Sequence, residues 1–238
     1  MFDRSPYTGA SMDSDLRQGM LRYYDERAPE YEDAYVRGTG TASIPDPDVF
    51  RREAALLTEV VQRFARGRML DLACGTGYWL PHYAERCSTI TLFDQSSKML
   101  DESREKTVNL GIADRCAIVE GDVFDYAFTP RSHDSALVGF LLSHVSEDEE
   151  RRLFEILHST LDASGRFLIL DSAYSPERAR FNAKVERQER RLNDGTRFEI
   201  YKRYFDRQDI AGWEKYGATL AIEHFGTAFV AVAGTFGS

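Results

Sequence analysis

The stretch "LDLACGTGYWL", residues 70–80, decides the fold class that we predict for this chain. A short apolar run leads into two closely spaced glycines, Gly75 and Gly77, and an acidic residue, Asp71, lies just before them. A glycine turn directly after a strand lets the backbone approach a bound ligand, and open α/β sheets bind their ligands at such turns. The surrounding residues indicate which ligand this turn suits.

The turn does not match the patterns that bind phosphate. A dinucleotide fingerprint has a third glycine three residues after the second, where this chain has Leu80. A Walker loop has Gly-Lys followed by Ser or Thr, which this stretch lacks. The chain also has no Tyr-x-x-x-Lys dyad. A nicotinamide-dependent oxidoreductase is therefore disfavoured.

Beyond residue 68, short β-branched runs alternate with helical stretches, which predicts a parallel sheet built from βα units. The predicted strands read "RMLDLA", "TITLFD", "CAIVEG", "SALVGFL" and "RFLILDS". Near the end, "ATLAIEHFGTAFVAVAG" has two further runs joined at "FGT", which predicts an antiparallel hairpin. The predicted fold class is α/β, a doubly wound seven-stranded sheet that is mostly parallel, with this hairpin on one edge.

Apolar spacing predicts two helices of this core. The stretch "DVFRREAALLTEVVQRFA" places Phe50, Leu57 and Phe64 at helical spacing ahead of the first strand. The stretch "SEDEERRLFEILHSTL" begins with Ser146 and Glu149, whose spacing is that of a capping box. Helices that alternate with the strands in this way support the α/β prediction.

Two segments lie outside the alternating pattern. Residues 1–45 contain the tyrosine-rich "LRYYDERAPEYEDAYVRG", where Pro29 predicts a break between two short lid helices. Residues 46–238 form the predicted core, with an insertion at about 173–207. The insertion is predicted to start as a charged helix and to continue as two strands joined at "NDG". Both segments are expected to cover a site at the carboxyl ends of the strands.

Three carboxylates follow successive predicted strands. Asp71 ends the first strand, Asp94 ends the second, and Asp122 follows the third. Asp94 lies close to the spacing of about 20 residues that is typical of an acid binding the hydroxyls of a ribose. Three acids would repel a pyrophosphate but suit a ligand with an ammonium group, a ribose diol and an adenine amino group. The sequence therefore predicts a nucleoside ligand that carries positive charge.

The motifs "LDLACGTGYWL", "LFDQSSKML", "GDVFDY" and "ALVGFLLSHV", in this order, resemble those of the class I S-adenosylmethionine-dependent methyltransferases. The resemblance covers residues 50–172 and implies a Rossmann-like fold with S-adenosylmethionine as cofactor. Ala73 stands where the family often has a glycine, and we expect alanine only to tighten the turn. The alternatives that remain are a protein of the same fold that binds the cofactor without methylating, and a tRNA or protein methyltransferase.

The resemblance also implies which residues hold the cofactor. The glycine turn would face its methionine part, Asp94 would bind both ribose hydroxyls, and Phe140 would lie beside the sulfonium. A tyrosine of the lid would close over the cofactor. The complete set that the resemblance implies is Tyr24, Tyr31, Asp71, Ala73, Cys74, Gly75, Gly77, Asp94, Gln95, Ser96, Met99, Asp122, Val123 and Phe140. Within this set Cys74 is read as a small packing residue of the turn and not as a nucleophile.

His144 is the candidate catalytic residue. It follows the fourth predicted strand, at the rim where an acceptor approaches the methyl group. A histidine near its ordinary pKa suits the removal of a proton from a hydroxyl or ammonium acceptor. The other interpretation is that His144 packs beside the helix that begins after Ser146. No two histidines have metal spacing, so metal-free transfer is expected.

The acceptor is predicted to be a small molecule methylated on oxygen or nitrogen. The residues after the fourth strand, "GFLL", lack the Asn/Asp-Pro-Pro-Tyr block of enzymes that methylate base amines. Residues 177–207 hold ten Lys or Arg against six Asp or Glu, which indicates either an anionic acceptor or a solvated helix with pairs such as Glu186 and Arg190. Tyr201, Arg203 and Tyr204 are the candidate acceptor-binding residues.

The composition limits which partners and which cellular compartment are expected for this protein. The net charge of −9 disfavours broad contact with nucleic acid or an anionic membrane surface. No apolar run is long enough to span a membrane, and the first residues lack a secretory h-region. Three cysteines without Cys-x-x-Cys spacing predict neither a disulfide framework nor a zinc site. A cytoplasmic protein is expected, either a monomer or a homodimer.

Overall fold

The computed structural model describes residues 13–33 and 46–237. They form a seven-stranded sheet with helices on both faces and a separate two-stranded hairpin. In chain order the strands are β1 (Gly67–Leu72), β2 (Cys87–Asp94), β3 (Cys116–Glu120), β4 (His133–Gly139), β5 (Leu161–Ser172), β6 (Val185–Arg191), β7 (Arg197–Arg203), β8 (Ala218–Phe225) and β9 (Phe229–Phe236). The α-helices are α1 (Ser14–Arg27), α2 (Pro47–Phe64), α3 (Leu80–Tyr83), α4 (Ser97–Asn109), α5 (Glu147–Thr160) and α6 (Arg207–Gly212).

The large sheet has the order β3-β2-β1-β4-β5-β9-β8. Strands β1 to β5 pair in parallel, whereas β9 runs antiparallel to both β5 and β8. The predicted fold class is therefore confirmed. The chain leaves β1 toward β2 on one side and later returns to β4 on the other side, which makes the end of β1 a topological switch point. Ligands of open α/β sheets bind in the crevice at this point.

The central strands are buried on both faces. Met69 packs in the core on one face of the sheet, together with α2, while Leu70 and Leu72 pack in the core on the other face, together with α5. All three side chains have no exposed surface. Burial on both faces explains why the strands read as continuous apolar runs in the sequence.

The two predicted core helices are present. Helix α2 begins after the N-cap Asp46 and buries Phe50, Leu57 and Phe64. Helix α5 begins with the predicted capping box, in which the Ser146 side chain accepts the Glu149 N–H and the Glu149 carboxylate accepts the Ser146 N–H. No helix in the described ranges is both long enough and apolar enough to cross a membrane.

The insertion does not begin with a charged helix, so this prediction is wrong. Residues 185–191 form β6, which pairs antiparallel with β7 in the separate hairpin, and the predicted turn at Asn193-Asp194-Gly195 joins the two strands. Pairing with β7 overrides the helix propensity of Glu, Arg and Gln because it buries Gln188 on one face. The helical pair of Glu186 and Arg190 therefore does not form.

The N-terminal segment covers the end of the sheet. Helix α1 packs through Leu16, Met20 and Tyr23 against Leu192 and Ile200 of the hairpin region. A 3₁₀ turn at Ala28–Glu30, which contains Pro29, follows α1, so the break expected there is present. Residues 1–12 and 34–45 of the predicted lid lie outside the described residues.

Glu53 fastens α2 to the loop before β9. Its carboxylate accepts backbone N–H groups from Thr227 (2.7 Å), Ala228 (3.0 Å) and Phe229 (3.0 Å).

Glu53→Ala is expected to lower the free energy of unfolding by about 3–5 kcal/mol, since a buried unsatisfied donor costs about 1–3 kcal/mol. Urea denaturation measures the loss. The exposed Glu59 of the same helix is the control, and Glu59→Ala should change stability by less than about 0.5 kcal/mol. Equal losses in the two variants would contradict this role of Glu53.

Candidate active site

Two strained turns flank the switch point. Ala73 follows β1 with φ 58° and Phe140 follows β4 with φ 58°, both in the left-handed region. A non-glycine residue there costs roughly 1–2 kcal/mol, and such strain is concentrated at functional sites. The turns are held by N–H groups that donate to neighbouring strands, from Cys74 to the carbonyl of Phe93 (3.0 Å) and from Phe140 to that of Leu170 (2.7 Å). From the sequence, alanine at position 73 was expected only to tighten the turn. The structure shows that it also strains the backbone there.

The glycine turn requires its glycines. Gly75 has φ 54° and Gly77 has φ 70°. A Cβ added to Gly77 would lie 2.9 Å from Oγ of Ser103, which itself donates a hydrogen bond to the carbonyl of Gly75 (2.8 Å). The turn is therefore packed tightly against α4.

Asp94 holds the turn against the end of β2. Its Oδ2 accepts the N–H of Gly75 (2.8 Å) and its Oδ1 accepts the N–H of Ser96 (2.9 Å). Burial raises the pKa of Asp94, and these N–H groups act in the opposite direction. The Ser96 hydroxyl accepts the N–H of Met99 (3.2 Å) at the start of α4 and donates to Asp25 of α1 (2.5 Å). One carboxylate thus connects the turn, β2, α4 and the lid.

A pocket with about 900 Å³ of open space lies above the glycine turn. Its walls come from α1, the glycine turn, and the segments that follow β2, β3 and β4. The structure brings eleven of the predicted residues together around it: Tyr24, Tyr31, Ala73, Gly75, Asp94, Gln95, Met99, Asp122, Val123, Phe140 and His144. We call it the first pocket.

Four predicted residues do not line the first pocket, namely Asp71, Cys74, Gly77 and Ser96. Ser96 is fully buried. Burial raises the pKa of the Cys74 thiol well above its usual value, which agrees with a packing residue and not with a nucleophile. Cys74 and Gly77 belong to the turn itself, and Asp71 and Ser96 flank it without facing the pocket.

Asp71 is buried under the turn and accepts a hydrogen bond from the Tyr83 hydroxyl (2.6 Å). Burial raises its pKa to about 7. Asp71 is therefore partly protonated near neutral pH. Of the predicted row of acids, Asp94 and Asp122 line the first pocket and Asp71 does not. Among the described residues, no group of three or more His, Cys, Asp or Glu side chains is placed to hold a metal ion.

His144 is fixed by two hydrogen bonds. Its Nδ1 lies 2.8 Å from the carbonyl of Tyr201, and its Nε2 lies 2.8 Å from the hydroxyl of Tyr24. Because a carbonyl only accepts, Nδ1 carries the proton and Nε2 accepts from Tyr24. Burial, followed by the charge of Lys202, holds the pKa of His144 well below its usual range. His144 is therefore neutral at pH 7, with its free lone pair directed at Tyr24.

A second pocket, with about 640 Å³ of open space, adjoins the first and shares Tyr24, Tyr31, Phe140 and His144 with it. Of the predicted acceptor-binding residues, only Tyr204 lines this pocket. The other two lie elsewhere: Tyr201 packs beside α1, and Arg203 donates to Glu150 (2.8 Å).

Sequence reasoning missed three arginines of this second pocket, Arg27, Arg178 and Arg190. The excess of basic residues in the insertion was a signal for two of them. It did not distinguish the inward face of β6 from its outward face, because the start of the insertion is predicted as a helix and no register is predicted for the strand before the turn. We call Arg178, Arg190 and Lys202 the cationic cluster.

The raised pKa of Asp71 makes a prediction about stability. Its pKa is about 7 in the folded state and 3.8 in the unfolded reference, so the folded state binds the extra proton and stability falls as pH rises between these values. Asp71→Asn keeps an acceptor for Tyr83 and removes this loss. The free energy of unfolding of the variant, relative to that of the wild type, should therefore rise by about 2–3 kcal/mol between about pH 5 and pH 7, as measured by urea denaturation.

The exposed Asp114 provides the matched control for this series. The stability of Asp114→Asn should run parallel to that of the wild type at every pH. A parallel curve for Asp71→Asn as well would contradict the buried, protonated state of Asp71.

Comparison with known proteins shows similarity to methyltransferases. Residues 69–165 match the model of the methyltransferase domain family. An uncharacterized methyltransferase of Staphylococcus carnosus is 27% identical over 158 residues, which cover 66% of this chain and 70% of that protein.

Two solved structures have the same fold. The DhpI-SAM-HEP complex has a TM-score of 0.73 at 23% identity and covers 94% of this chain and 99% of its own. The Burkholderia thailandensis 1,6-didemethyltoxoflavin-N1-methyltransferase, with bound 1,6-didemethyltoxoflavin and S-adenosylhomocysteine, has a TM-score of 0.60 at 15% identity and covers 96% and 95%. The chain therefore contains a methyltransferase domain at residues 69–165 and has the fold of solved S-adenosylmethionine-dependent methyltransferases.

Proposed function

We propose that this protein transfers the methyl group of S-adenosylmethionine to an oxygen or nitrogen atom of a small-molecule acceptor, without a metal ion. The observation that carries the proposal is the junction of the two pockets at Phe140 and His144. A cofactor in the first pocket and an acceptor in the second would meet there. Two structures of the same fold support this arrangement: the DhpI-SAM-HEP complex, and the 1,6-didemethyltoxoflavin-N1-methyltransferase with bound 1,6-didemethyltoxoflavin and S-adenosylhomocysteine.

The residues of the first pocket fit the cofactor. Asp94 and Asp122 supply carboxylate acceptors for ribose hydroxyls and an adenine amino group, and each oxygen of Asp94 keeps a lone pair after accepting one N–H. The methionine part would lie along the turn beside Tyr31, whose ring is 3.8 Å from the position that a Cβ on Gly75 would take. Gln95, Met99 and Val123 would flank the nucleoside.

Asp71, Cys74, Gly77 and Ser96 take an indirect part in this proposal, because they shape the turn and do not line the first pocket. Tyr24 and Tyr31 would close the pocket from the lid side. Asp25 and Glu32 fasten the lid by accepting hydrogen bonds from Ser96 (2.5 Å) and Thr76 (2.8 Å).

When bound, S-adenosylmethionine supplies a methyl group on a positively charged sulfur, which is already electrophilic. The protein therefore mainly positions the acceptor and excludes water. His144 accepts the acceptor's proton at Nε2, with the Tyr24 hydroxyl as relay. The carbonyl of Tyr201 stabilises the proton on Nδ1 and so keeps Nε2 available. The lowered pKa keeps His144 unprotonated at the start of the reaction, but it also makes the imidazole a weaker base than the ordinary pKa expected from the sequence.

The proposal includes a cytoplasmic location. Cys74, Cys87 and Cys116 are all free thiols in the structure. Free thiols suit a reducing compartment.

The cofactor assignment is tested by removing Asp94. Asp94→Ala should weaken S-adenosylhomocysteine binding by about 2–4 kcal/mol, because hydrogen bonds to a charged group contribute about 1.5–3 kcal/mol each. Calorimetry measures the affinity, and thermal denaturation verifies that the variant is folded. Asp101→Ala, on the exposed side of α4, is the control and should bind like the wild type. Undiminished affinity in Asp94→Ala would overturn the ribose assignment.

The role of His144 is tested by kinetics with an acceptor that supports turnover. His144→Ala should lower kcat by about 10²–10⁴-fold, because general base catalysis contributes this much. Affinity for S-adenosylhomocysteine should be retained. Tyr24→Phe should lower kcat by a smaller factor if the hydroxyl relays the proton. Formation of S-adenosylhomocysteine is measured across pH. If His144→Ala reacts as fast as the wild type at every pH, His144 only lines the pocket and is not the base.

A further inference from the structure

The second pocket is lined by several positively charged side chains. Arg27, Arg178, Arg190 and Lys202 face it, and among the described residues no Asp or Glu lines it. The whole chain carries a net charge of −9, so this local excess of cations runs against the overall composition. The remaining walls are mainly aromatic and aliphatic, which strengthens electrostatic interactions inside the pocket.

Arg178 is buried with an incomplete set of partners. Only 5% of its surface is exposed, and its Nη2 donates to the carbonyl of Ala228 (2.9 Å). Its Nε has no hydrogen-bond partner, and its guanidinium lies 4.4 Å from the centre of the Tyr204 ring. Within residues 13–33 and 46–237 no carboxylate lies within ion-pair distance of Arg178. A buried cation without a paired anion is costly for the protein.

Lys202 is held beside Arg178 in the same pocket. Its Nζ donates to Oγ of Ser143 (2.6 Å), and the carboxylate of Asp171 lies 3.9 Å away. That carboxylate already accepts the N–H groups of Ser143 and Ser172. Burial lowers the pKa of Lys202 to about 7, Asp171 opposes this shift, and the neighbouring arginines Arg190 and Arg178 add to it. The cations therefore repel one another when nothing else is bound.

Arg190 completes the cluster from β6. It lies on the inward face of this strand, and it forms no hydrogen bond or ion pair with any residue that the structure describes. Arg187, which points outward from the same strand, is paired with Asp13 (2.8 Å) and Glu199 (3.3 Å). The arginine on the solvent side thus has acidic partners, while no described residue supplies one for the arginine that faces the pocket.

We propose that the acceptor carries an oxyanion, a carboxylate or phosphoryl group, and that the cationic cluster of Arg178, Arg190 and Lys202 anchors it. The inference rests on the proposed methyl transfer, because it names the class of acceptor for that site. Guanidinium groups bind carboxylates and phosphoryl oxygens in bidentate fashion, which fixes the orientation of a ligand as well as its charge. With its anion held in the second pocket, the remainder of the acceptor lies against Phe140 and His144, where the methyl group arrives.

The first test uses anion binding to the full-length protein loaded with S-adenosylhomocysteine. Inorganic phosphate and acetate are titrated separately by calorimetry at constant ionic strength. We expect at least one of them to bind, and Arg190→Gln should weaken that binding at least about tenfold. Arg191→Gln, which makes the same charge change on the exposed side of β6, is the matched control and should bind like the wild type. The stronger of the two anions identifies the carboxylate or phosphoryl class.

Two outcomes would overturn the inference: neither anion binds the wild type, or Arg190→Gln and Arg191→Gln bind with equal affinity. Affinity for S-adenosylhomocysteine is measured in the same samples. If the protein does not bind S-adenosylhomocysteine, the proposed methyl transfer is refuted. If it binds S-adenosylhomocysteine but shows either of the two outcomes above, only the anionic acceptor is refuted.

The second test uses turnover and does not depend on a buried substitution. Candidate acceptors are supplied as pairs, each acid with its neutral amide, and S-adenosylhomocysteine formation is followed. Acids should support turnover with a KM at least about tenfold below that of their amides, and Arg190→Gln should remove this difference. Amides that react as well as the acids in the wild type would contradict an anion-binding role for the cluster.

Discussion

The carboxylate of Asp94 is the constraint on which the rest of the site depends. It accepts N–H groups from Gly75 and from Ser96, and so joins the turn after β1 to the start of α4. Through the hydroxyl of Ser96 the same network reaches Asp25 on the lid. The acid that the proposal assigns to the ribose is thus also the residue that shapes the turn. Cofactor binding and lid position are therefore expected to be coupled.

Opposite charges lie on the two sides of Phe140. Asp94 and Asp122 line the first pocket, whereas the cationic cluster lines the second. Such a division suits a positively charged sulfonium on one side and an anionic acceptor on the other. It would orient both molecules before the reaction, and orientation accounts for a large part of the gain that an enzyme supplies when the methyl group is already reactive.

Much of the fold could be predicted from sequence because its signals are local. The apolar runs of β1 to β5 and the capping box at Ser146 depend on neighbouring residues, and both are found as expected. The first part of strand β6 could not be predicted, although the two strands around Asn193-Asp194-Gly195 were expected, because pairing with β7 decides its conformation and Glu-Arg-Gln sequences favour a helix when taken alone.

The site was predictable only in part for the same reason. Eleven of the predicted residues line the first pocket because they follow strand ends or face them from the lid. The protonated state of Asp71 depends on burial beside Tyr83, which no spacing reveals. The tautomer of His144 depends on the carbonyl of Tyr201, 57 residues away. The inward direction of Arg190 follows from the strand register, which the sequence did not indicate.

A crystal structure of the protein with S-adenosylhomocysteine bound tests the central claim most directly. The account requires the ribose hydroxyls to lie within hydrogen-bond distance of the Asp94 carboxylate and the adenine to lie beside Asp122 and Val123. The homocysteine sulfur should then point toward Phe140 and the second pocket. Density for the adenosine in the second pocket, or anywhere away from Asp94, would contradict the account.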